Sequence, residues 1–111
     1  MKPKPQWISD AKLVFDTQSR KTIIVLMKLR RFPVSQSRVE FPEGYKINWI
    51  AYNEDDPNER VLFDNHHGKV LHYHIDSDQK GISFAWISRE KTEALFWQKV
   101  QVRFGKLTRI W

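Results

Sequence analysis

The chain has 111 residues, of which 41% are apolar and 14% aromatic, enough for one domain around one core and too aromatic for a disordered segment. It has no cysteine, which excludes a disulfide framework and a thiolate zinc site and fits a reducing cytoplasm. Net charge is +6, but unevenly placed: residues 1–38 carry +7, residues 39–81 carry −5 and residues 82–111 carry +4. Basic surface attracts phosphate backbones, so the charge tilts weakly toward nucleic-acid contact.

Residues 1–9 read as a loose tail, because Pro3 and Pro5 block regular pairing. They lack the apolar run of a signal peptide, and the longest apolar run, residues 23–27, is far too short to span a bilayer. A cytoplasmic protein with no membrane contact is expected.

Residues 12–15 are a short strand candidate, followed by turn-forming residues 16–21. Residues 22–29 are β-branched and apolar almost throughout, the mark of a well-buried strand, and the two should pair as a hairpin. Residues 33–44 read mainly as loop. Residues 45–52 form the next strand, with Tyr45, Ile47 and Trp49 on one face. A polar turn over 53–59 leads to strands at 60–64, 70–76 and 82–87, joined by short connections.

The period then changes. Ser88 is a good N-cap, and Phe96, Val100, Phe104 and Leu107 follow at helical spacing, with Gly105 as the cap at the end. One amphipathic helix over 88–105 is predicted. The fold class is α+β: an antiparallel β-meander of about five or six strands packed against one C-terminal helix. Residues 107–111 should pair as an edge or cover the core. The aromatic residues Trp49, Phe84, Trp86, Phe96 and Trp97 read as core rather than as stacking platforms for bases.

All four histidines, His66, His67, His72 and His74, fall within nine residues. Strand alternation sends Leu71, Tyr73 and Ile75 to the core and Val70, His72, His74 and Asp76 to the opposite face, about 6.6 Å per two residues. A buried histidine is not expected at 72 or 74. His66 and His67 sit in the connection before this strand, where Gly68 permits a sharp turn.

Three uses compete for this cluster. Two imidazoles serve as general base and acid in RNA cleavage through the 2′-hydroxyl, without metal or other cofactor. Lys69, or next Arg60, would stabilise the developing charge, and Asp64 or Asp76 would fix a histidine tautomer. Lys28, Arg30, Arg31, Arg60 and Asn65 are candidates to contact the RNA. The second use is metal binding, with His72 and His74 as a pair completed by His66, His67, Asp64 or Asp76. The third is no chemistry at all: exposed histidines on a solvated face. The chain would then be a nucleic-acid contact module or a regulatory partner.

The run Val61-Leu62-Phe63-Asp64-Asn65-His66-His67-Gly68, then His72-Tyr73-His74, then a short strand and an amphipathic helix, resembles the TumE-like toxins of toxin–antitoxin pairs. The resemblance covers roughly residues 45–104. Phe63 stands where that family often has Tyr, and the N-terminal hairpin matches only in being basic and strand-like. Carry-over is firmest at Asp64, Asn65, His72 and His74. The resemblance implies a toxin with an RNA-directed activity and a helix-turn-helix antitoxin as partner.

Overall fold

The computed structural model describes residues 6–32, 42–66, 69–78 and 80–110, with the backbone alone at 6–8, 66, 69 and 70. Among them, seven strands form one sheet: β1 (Gln6–Thr17), β2 (Thr22–Arg31), β3 (Tyr45–Asn53), β4 (Asp56–His66), β5 (Lys69–Ile75), β6 (Ile82–Ser83) and β7 (Leu107–Arg109). One helix, α1 (Arg89–Phe104), separates β6 from β7. The order is β6-β5-β4-β3-β2-β1-β7, with antiparallel pairing throughout. Six consecutive strands make the predicted meander. The helix then returns the chain across the sheet, and β7 joins the free side of β1, so the C-terminal segment pairs as an edge.

The parity of each strand separates two faces. Ile23, Val25 and Leu29 of β2, Ile47, Trp49 and Ala51 of β3, Val61 and Phe63 of β4, and Leu71 and Tyr73 of β5 are all buried. α1 closes this face with Thr92, Phe96, Val100 and Phe104. The Phe96 ring meets Trp49 edge-on at 5.7 Å and Phe63 at 5.3 Å. Trp86, Trp97 and Phe84 are partly buried against this core, consistent with the packing role expected of them.

The helix ends follow the predicted chemistry. Ser88 Oγ accepts from Lys91 N at 3.1 Å. Gly105, at φ +81°, donates its N–H to Gln101 O at 2.8 Å. Leu107, expected on the helical stripe, has left the helix and lies in β7.

Several boundaries differ from expectation. β1 starts at Gln6, so residues 6–9 belong to a strand rather than a tail. Proline removes only its own donor, and β2 reaches Arg31, long enough to pair back to Gln6. β4 starts at Asp56, shrinking the polar turn to residues 54–55. Glu59 anchors this extension: its carboxylate accepts from Lys21 Nζ at 2.8 and 3.1 Å and from Asn53 Nδ2 at 3.0 Å. β6 has two residues rather than six, because beyond it Trp86 turns to Tyr45 and donates its indole N–H to Glu43 Oε2 at 2.7 Å.

Candidate functional site

The face opposite the helix carries the even-numbered residues of β2 to β5. Register aligns them in rows across the sheet. One row runs Asp10, Lys28, Asn48, Asp64, His72, Ser83, one residue from each of six strands. The next runs Lys12, Leu26, Ile50, Leu62, His74. On the other flank, Arg30 pairs with Lys46.

Asp64 and His72 are therefore direct cross-strand partners, and His72 Nε2 lies 2.9 Å from Asp64 Oδ1. This is an ion pair whenever the imidazole is protonated. His74 follows two residues on, its ring centroid 4.8 Å from that of His72 and nearly perpendicular to it. His74 Nδ1 lies 2.7 Å from the carbonyl oxygen of Asp78. A carbonyl only accepts, so Nδ1 carries the hydrogen and neutral His74 has its lone pair at Nε2. His72 is 8% exposed, contrary to the expectation of an exposed ring. The reason is the turn after β5, which folds back so that Gly81, at φ +72°, packs against both imidazoles.

Asp64, His72 and His74 can each offer a ligand atom, and these atoms lie within 4.8 Å of one another. The trio is thus suited either to moving protons or, after a small closure, to holding a transition metal.

The remaining expected residues divide. Asp76 is not brought to the imidazoles. At φ +56° it turns away, its carboxylate accepting from Arg103 Nε of α1 at 2.9 and 3.1 Å and from the Arg60 backbone N–H at 3.1 Å. Arg60 Nε in turn donates to Asp76 O at 3.3 Å, so Arg60 anchors this turn. Asn65 is buried at 1% exposure, and its amide replaces ladder bonds where the β3–β4 pairing stops: Oδ1 accepts from Ile47 N at 2.9 Å and Nδ2 donates to Tyr45 O at 3.1 Å. That makes it a strand clamp rather than an RNA contact. Arg31 lies over the Tyr45 ring at 5.0 Å and donates to Glu43 O at 3.3 Å, away from the histidines.

Lys28 and Arg30 remain on the outer face. With Lys46, Ile47 and Asn48 they line a cavity of about 190 Å³. The backbone pairs His66 with Lys69 at the hairpin end of β4 and β5, while their side chains, and His67 and Gly68 altogether, lie outside the described residues.

Sequence reading missed Gly81, Asn48 and Lys46. Lys46 and Asn48 do alternate with Ile47 and Trp49, a legible polar face, but only the register sets them beside Lys28 and Asp64. Gly81 was legible as a turn residue, not as a neighbour of the imidazoles.

No protein-family model matches this chain, and no curated protein or solved structure matches it. No helix among the described residues is long and apolar enough to cross a membrane.

Proposed function

We propose that this chain is a cytoplasmic, toxin-like endoribonuclease that works without metal. The observation that carries the reading is the pairing of His72 and His74 on one face with different neighbours, the Asp64 carboxylate 2.9 Å from one ring and the Asp78 carbonyl hydrogen-bonded to the other. His74 Nε2 takes the proton of the 2′-hydroxyl. The 2′-oxygen attacks phosphorus, and the bond to the 5′-oxygen breaks. Protonated His72, its charge balanced by Asp64, gives the 5′-oxygen its proton, leaving a 2′,3′-cyclic phosphate and a 5′-hydroxyl. Lys69, paired by its backbone with His66 on the same hairpin, is the proposed charge stabiliser. The TumE-like resemblance supports the reading, since Asp64, His72 and His74 come together and Asn65 holds their strand in place. A helix-turn-helix antitoxin is the partner this proposal implies.

RNA incubated with the protein in EDTA should be cleaved to cyclic-phosphate ends, and His72→Ala and His74→Ala should each abolish cleavage. No cleavage by wild type, or cleavage at the wild-type level by either variant, overturns the reading.

One observation favours a second reading. Three ligand atoms within 4.8 Å fit a divalent transition metal held by two imidazoles and a carboxylate. Stoichiometric metal in untagged protein, lost in His72→Ala, would select it.

A further inference from the structure

The outer face is graded from row to row. Arg30 and Lys46 lie on one flank, then Lys28 and Asn48 in line with Asp64 and His72, then the half-buried apolar residues Leu26, Ile50 and Leu62 in line with His74. Adjacent rows are about 6.6 Å apart. Among the described residues, no ion pair engages Lys28 or Lys46. Exposed Asp10, the direct cross-strand partner of Lys28, ends the cationic stretch on one side, and Asp64, beyond Asn48 in the same row, lies 2.9 Å from His72 on the other.

A surface with cations along one line and apolar side chains along the next suits a single strand of RNA, whose phosphates lie on one side and whose bases lie on the other. A duplex hides its bases and has no use for the apolar row. We propose that the cavity lined by Lys28, Arg30, Lys46 and Asn48 is a phosphate subsite for single-stranded RNA crossing the sheet toward His72 and His74. Lys28 stands three strands from His72, about 14 Å at the usual spacing. The bound phosphate is therefore on the order of two nucleotides from the reacting one. The inference rests on the ribonuclease reading for its direction, but binding at the cavity is measurable without cleavage.

The test uses all-deoxy oligonucleotides, which lack the 2′-hydroxyl and cannot be cut by this route, binding to the full chain at graded salt. A single-stranded octamer should bind with a steep salt dependence, and a dinucleotide only weakly. Lys28→Gln with Lys46→Gln should make the slope of log K against log salt shallower by about 1.4, two phosphate contacts at about 0.7 each. Lys46→Glu alone, the same net change of two charges, should weaken the octamer comparably. An unaltered slope in the double variant, equal binding of the duplex octamer, or binding to anionic vesicles in place of the oligonucleotide overturns the subsite. Failure of cleavage with this binding intact overturns only the catalytic reading.

Discussion

Gly81 lies against His74 so closely that a Cβ at position 81 would sit 2.8 Å from His74 Cε1, and 3.1 Å from His72 Cδ2. The residue also has φ +72°, where a side chain is strained regardless of space. Gly81→Ala should therefore cost about 1–2 kcal/mol and displace both rings while the sheet survives. Two-dimensional NMR of the imidazoles, alongside urea unfolding, checks it. Unmoved signals from both rings would show that the turn does not press on them.

Asn65 joins β4 to β3 by its side chain. Asn65→Ala leaves the Ile47 N–H and the Tyr45 carbonyl without that amide in a buried setting. A loss of about 2–4 kcal/mol is expected, one to two for each bond. Asn65→Asp keeps the acceptor for Ile47 but faces the Tyr45 carbonyl with a buried charge, and should be at least as damaging. Chemical denaturation measures both.

Asp76 separates stability from chemistry. Its carboxylate pairs with Arg103 but is 41% exposed, so water screens the pair. Asp76→Asn retains an oxygen for the Arg60 N–H and tolerates the positive φ. It should cost no more than about 1 kcal/mol and leave RNA cleavage unchanged. Reduced cleavage at unchanged stability would return Asp76 to the site.

Glu59 sets a pH dependence. The hydrogen bond from Lys21, then that from Asn53, hold its carboxyl below the ordinary glutamate range. The folded state thus binds this proton less readily than the unfolded state. The stabilisation is fully present above the unfolded value of about 4.3 and is lost as pH falls through the lower folded value. Wild type should be more stable than Glu59→Gln at neutral pH, and the two should converge in acid. Thermal unfolding across pH reads the gap, and a constant gap would contradict it.

Phe96 of the helix is fully buried against the sheet, its ring edge-on to both Trp49 and Phe63. Phe96→Ala should cost about 3–5 kcal/mol, with helix signal and sheet signal lost together in a single transition by circular dichroism.

Local pattern already carried much of this protein. Period-two alternation at Leu71, Tyr73, His72 and His74 assigned core and outer face, because a strand's geometry forces that separation wherever it pairs. Ser88, the spacing of Phe96, Val100 and Phe104, and Gly105 determined the helix, because capping and periodicity act within a few residues. Tertiary structure decided what lies beside what. Asp64 meets His72, Asn48 brings Lys28 into their row, and Gly81 covers both rings only through inter-strand register and a returning turn. Asp76 shows the limit most plainly. One residue beyond β5 its backbone turns to φ +56°, alternation ends, and Arg103, 27 positions away in sequence, takes its carboxylate.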